Sequence, residues 1–187
     1  FGFEYSDKHQ SLAEIQRVLA PGGLFAAVCH HRDSFTLNAS RKELDIYRQG
    51  LEKNNIFAAA RIYYDAKEAQ SPAAPEKLKA VNYAVNRLRQ AHAGHPCCDQ
   101  MVEALSSIIR QAKTTPAQQL IRQIDELERD FRGAAQRLKD LSDAALSPTD
   151  MDDLVSQCLK LGFSEAHSGE IMHSPSDIAG YTLLARI

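Results

Sequence analysis

Apolar positions near the start of the chain recur with two different periods, and the change from one to the other is abrupt. Leu12, Ile15, Val18 and Leu19 fall three and four apart, with Glu14, Gln16 and Arg17 on the opposite side, which is the spacing of an amphipathic helix. The helix is expected to end on Ala20, because Pro21 disfavours helical geometry at the residue before it and Gly22–Gly23 supply the reversal. Leu24–Cys29 is then apolar without interruption over a strand's length, the pattern of a parallel strand covered on both faces. A helix packed back on a buried strand is the first unit predicted.

From Asn38 to Leu146 the helical period continues, broken at Ser71-Pro72, Pro75, His95-Pro96 and Thr115-Pro116, so four helices are expected. Ser40 to Glu43 has capping-box spacing at the start of the first. Leu44, Tyr47, Leu51, Phe57, Ala60 and Tyr64 stripe that helix, with a bend expected near Asn54-Asn55; Leu78, Val81, Val85 and Leu88 stripe the second, and Met101, Leu105, Ile108 and Ala112 the third. The fourth has a coiled-coil-like seam, Leu120, Ile124, Leu127, Phe131, Ala134, Leu138, Leu141 and Ala145, with Thr115 as N-cap and Pro116 in the first turn. Its charges, among them Arg122, Asp125, Glu128 and Arg132, read as a solvated face. Single amphipathic helices are marginal alone, so these need one another or a partner, and self-association through the fourth is one outcome of the pattern. Ser147-Pro148 opens a last helix that Gly162 ends, and two strands near Ala166–Met172 and Ile178–Ile187 close the chain.

Three segments carry a family resemblance. FGFEYSD followed by SLAEIQRVLAPGGLFAAVCHH resembles the loop after strand 4, helix D and strand 5 of class I S-adenosylmethionine-dependent methyltransferases; LVSQCLKLGF (Leu154–Phe163) resembles the helix before strand 6, and YTLLARI (Tyr181–Ile187) the closing antiparallel strand. The fold this implies is α/β, the carboxy-terminal part of a Rossmann-like methyltransferase sheet. Its core would be residues 1–36 and 147–187, with 37–146 a large all-helical insertion acting as lid, substrate wall or dimer surface. The cofactor implied is S-adenosylmethionine. The glycine-rich turn after a strand and the acidic residue that the family uses to hold it are missing; Gly22–Gly23 precede a strand and punctuate a turn. The chain is therefore expected to be the carboxy-terminal portion of a longer enzyme.

The resemblance places Phe1–Ser6 beside the transferable methyl, which makes Glu4 a catalytic candidate and Phe1, Phe3 and Tyr5 substrate-binding candidates; packing of the aromatics under the helix is the alternative. His30 and His31 stand where a parallel strand would end, the place where ligands collect in open α/β sheets. His30 is the candidate general base and His31 a substrate contact, with a hydrogen-bonded structural histidine as the alternative. Alternation lets only one of the two face a given side.

Composition narrows the partners. A net charge of −2 gives no electrostatic reason to expect nucleic acid or an anionic membrane, and no apolar run has the length of a membrane span. A small-molecule methyl acceptor is favoured over a macromolecule. Cys29, Cys97, Cys98 and Cys158 fit no disulfide framework and read as reduced thiols of a cytoplasmic protein. His92, His95, Cys97 and Cys98 lack the paired short spacings of a zinc site, so no metal is expected. The competing function is a non-catalytic helical interaction module that assembles with another chain.

Overall fold

The computed structural model describes every residue from Phe1 to Ile187, and the chain divides into two compact units, Phe1–Arg41 with Lys139–Ile187, and Lys42–Leu138. It is a mixed α/β chain with one small antiparallel sheet.

In the first unit, helix α1 spans Lys8–Val18, capped by the Asp7 side chain on the Gln10 N–H. It stops two residues earlier than Ala20, because Leu19 has already turned extended (φ −70°, ψ 135°) ahead of the Ala20-Pro21 pair. Val18, assigned to the apolar stripe, is 61% exposed, while Leu12 is buried and Ile15 and Leu19 pack against the core. Gly22 takes a positive φ of 77° and its N–H donates to the Ile187 carbonyl at 3.0 Å. A Cβ on Gly23 would stand 2.7 Å from the Ala20 carbonyl oxygen, so both glycines serve the turn.

Strand β1 (Leu24–Cys29) pairs antiparallel with β3 (Asp177–Arg186), which also pairs antiparallel with β2 (Glu165–Ser174), giving the order β1-β3-β2. The closing strand thus lies between the other two, which run parallel to each other without touching. Cover on both faces, expected for β1, is not found: Leu24 and Val28 are 53% and 37% exposed, and Leu184 beside Ala26 is 42% exposed. The other face carries the core. There Cys29, Leu183, Ala185 and Ala166 pack with Leu12 and with Leu154 and Cys158 of α7 (Pro148–Lys160). That helix begins with a complete capping box between Ser147 and Asp150, has Pro148 in its first turn, and is followed by Gly162 at φ 96°.

The second unit is helical. Chain enters it along α2 (Phe35–Arg48), which begins at Ser34: the Leu37 N–H donates to Ser34 Oγ at 3.2 Å. Ser40, the expected cap, lies inside that helix and is 8% exposed. The bend expected near Asn54-Asn55 is a full break, a π-helical turn over Gln49–Lys53, then Asn55 at φ 31° accepting from the Ala58 N–H to start α3 (Ile56–Glu68). A Cβ on Gly50 would overlap the Met101 sulfur, so glycine lets the turn pack directly on α5 (Pro96–Arg110). With α4 (Ala74–Ala91) and α6 (Ala117–Ala144), these helices enclose Leu51, Phe57, Tyr64, Leu88, Met101, Leu105, Leu120, Ile124 and Phe131. One charge of the expected solvated face is buried. Glu128 is 7% exposed and paired with Arg132 at 2.6 Å and with Arg61 of α3, and these two guanidiniums hold its carboxyl below the usual value against the opposing effect of burial.

Candidate functional site

Four of the six residues singled out at the exit of β1 come together. Phe1 stacks on the His30 ring with centroids 4.1 Å apart, and Tyr5 meets the same ring edge-on at 6.2 Å. A 3₁₀ turn over Phe3–Tyr5 brings Glu4 in between, 2% exposed. Glu4 Oε1 lies 2.6 Å from His30 Nδ1 and accepts from the His30 N–H at 3.2 Å; Oε2 accepts from the Gly2 N–H at 2.8 Å. Burial alone would raise the Glu4 carboxyl, but hydrogen bonds from the Gly2 N–H, its own N–H, the His30 ring and the His30 N–H outweigh it and hold the group below the usual carboxylate value.

An ionised Glu4 accepts only, so the proton of a neutral His30 sits on Nδ1 and Nε2 is left as the basic lone pair, with no partner in the chain. The pair has the parts of a general base: a carboxylate that orients the imidazole and stabilises the imidazolium when a proton arrives. Tyr5 adds a donor. Burial first, and then the charges of Glu4 and Asp140, raise its phenol, so it keeps its proton.

Two candidates lie elsewhere. Phe3 turns to set its ring against Phe25 at 5.6 Å and belongs to the core beneath the sheet. His31 leaves the strand on the side opposite His30; it is 3% exposed, lies 4.3 Å from the Tyr181 ring, and its Nδ1 accepts from the Asp33 N–H at 2.9 Å. Sequence reasoning missed Asp140 and Asp143, at the end of α6, which line an open cavity of about 420 Å³ with Glu4, Tyr5, Ser6 and Lys8. Nothing local to those aspartates marks them, since the fold alone brings the two stretches together.

S-adenosylmethionine, the cofactor implied by the resemblance, finds no cradle in these residues. The amides of Gly22 and Gly23 are used by the Ile187 and Ala20 carbonyls, at the end of β1 away from His30. No three His, Cys, Asp or Glu side chains are grouped as a metal ion would require; His95 instead caps α5, its Nδ1 accepting from the Cys97 N–H at 3.3 Å. No helix is long and apolar enough to cross a membrane. No protein-family profile, curated protein or solved structure matches the chain.

Proposed function

We propose that the chain is the carboxy-terminal portion of a class I S-adenosylmethionine-dependent methyltransferase, cytoplasmic, and that the Glu4–His30 pair takes the proton from a small-molecule acceptor. The observation that carries this reading is the pair itself, a buried carboxylate 2.6 Å from an imidazole at the exit of β1. The sheet is in keeping with it: the closing strand, Asp177–Arg186, is antiparallel to its neighbours, as the resemblance of Tyr181–Ile187 implies. Four free, buried cysteines agree with a reducing compartment.

In this reading the methyl donor is held by residues outside this chain, and the residues here serve the acceptor. A hydroxyl or amine in reach of His30 Nε2 gives up its proton there, Glu4 steadies the imidazolium, and Tyr5 donates a hydrogen bond from a phenol that stays protonated. The open cavity beside the pair is lined by Glu4 and Tyr5 but not by His30, and its three carboxylates, Glu4, Asp140 and Asp143, outnumber Lys8, which disfavours the phosphates of a nucleic acid. A second reading, a binding module without chemistry, has for it the uncovered apolar row Leu24, Val28 and Leu184.

The test is transfer of labelled methyl from S-adenosylmethionine to a panel of small phenols and amines by the gene product that carries this chain, with His30→Gln beside it. Transfer reduced by about 10²-fold to 10⁴-fold in His30→Gln, at unchanged thermal stability, is expected. Equal transfer by the variant removes the role of the pair, and no transfer to any acceptor leaves the binding module.

A further inference from the structure

The helical unit holds a second cavity, of about 240 Å³, lined by Tyr64, Lys67, Glu68, Ala112, Thr115, Ala117 and Leu120. We propose that it binds a small oxyanion, a phosphate or a carboxylate, independently of any methyl-transfer chemistry.

Four observations place donors there with capacity to spare. The hydroxyl of Tyr64, a residue with no solvent exposure, is buried without a hydrogen-bond partner in the chain, a state that few buried polar groups are left in. Burial pushes its phenol up to about 12, so at neutral pH it offers a proton. The cavity also adjoins the N-terminus of α6, 28 residues long, whose first turn contains no acidic residue. The Gln119 and Leu120 amides return to the Pro116 carbonyl, while those of Ala117 and Gln118, ahead of them in the first turn, have no backbone partner. Finally, Lys67 places its ammonium 6.0 Å from the centre of the Tyr64 ring, and its one partner in the chain is the Ala112 carbonyl at 3.4 Å.

A phenol, an ammonium with donors beyond the one given to the Ala112 carbonyl, and unpaired amides at the positive end of a long helix are all donors, and a small oxyanion is the ligand that accepts from all of them. The acceptors in the wall are already engaged. Glu68 takes a hydrogen bond from the Gln118 side chain, and the last carbonyls of α3 are closed by the amides of Ala69, Gln70 and Ser71. The space is several times the roughly 30 Å³ that one water occupies in the liquid, so a single bridging water does not account for it.

The experiment is a ¹H–¹⁵N titration of the whole chain with inorganic phosphate and, in a separate arm at matched ionic strength, with acetate, for the unmodified chain, Tyr64→Phe and Lys67→Gln. Saturable shifts of the Ala117 and Gln118 amides with either anion are expected, and the arm that saturates at lower concentration tells phosphate from carboxylate. Each substitution should weaken the affinity about tenfold, the worth of one hydrogen bond to a charged group. Because the Tyr64 hydroxyl has no partner in the chain, Tyr64→Phe should melt no lower than the unmodified chain in anion-free buffer, which separates lost binding from lost structure. Shifts that drift without saturating in both arms, or equal affinities in all three proteins, overturn the proposal.

Discussion

Replacing Glu4 by Gln tests the buried pair through stability as well as chemistry. The side chain keeps its shape, and its remaining oxygen can still accept from the His30 ring and the His30 N–H. The new amide, however, must face the Gly2 N–H, which sets two donors against each other where a bond of 2.8 Å existed. One lost, partly buried hydrogen bond to a charged group costs about 1.5–3 kcal/mol, and changing two charge-assisted bonds to neutral ones adds about 1 kcal/mol, so a loss of about 2–4 kcal/mol is expected at pH 7. The sign with pH follows from the lowered carboxyl. A group whose pKa is lower folded than unfolded contributes its stability fully above the unfolded value, near 4.5, and loses it as pH falls through the folded value. The gap between wild type and Glu4→Gln should therefore shrink on going from pH 6 to pH 3, because only the wild type has that charge to lose. Urea titrations read from the Ala27 and Leu183 amides, which lie on paired strands of the sheet, report this unit separately from the helical one. A gap that is absent at pH 7, or that is the same at both pH values, refutes the argument that an ionised Glu4 organises His30.

What the chain reveals about itself depends on how local the controlling physics is. The limits of β1, the turn through Gly22 and Gly23, and the Ser147-Pro148 start of α7 were legible because each rests on a few adjacent residues whose backbone geometry admits little choice. The apolar run Leu24–Cys29 was less informative, since a strand buried on one face and a strand buried on both can carry the same side chains; only the exposure of Leu24 and Val28 separates them. Ser34 and Ser40 are both chemically fit to cap a helix, and the choice falls to the one whose hydroxyl meets a free amide. Glu128 reads as a surface charge until α3 brings Arg61 to it from 67 positions away. The site divides in the same way. Glu4 is named through the resemblance of its loop and His30 through its place at the end of a strand expected to be parallel, which instead pairs antiparallel. The contact between the two is not legible in the sequence, while the separation of the two histidines follows from alternation. Asp140, Asp143 and the unpartnered hydroxyl of Tyr64 depend on contacts between distant stretches, for which the sequence holds no local sign.

Two further perturbations probe the buried thiols of both units and the sheet beside this pair. All four thiols are buried and pushed up by loss of solvent, Cys29 to about 11, so Ellman's reagent at pH 8 should titrate far fewer than four in minutes from the folded chain and all four in guanidinium. Rapid reaction of any thiol in the folded chain would contradict its placement. Gly180→Ala should be costly although its φ is unremarkable: the added Cβ would stand 2.8 Å from the Cys29 carbonyl oxygen, a backbone atom held by pairing with β3, and 3.9 Å from the Phe1 ring that stacks on His30. Since the strand cannot turn aside as a flexible side chain would, overpacking of this kind should cost about 1–3 kcal/mol and displace the Phe1–His30 stack, read as a shift of the His30 ring resonances. Gly169→Ala on β2 is the control, because its Cβ meets only the Thr182 hydroxyl at 3.4 Å; equal stability of the two variants would show that β1 and β3 do not approach as closely at Gly180 as the structure has them.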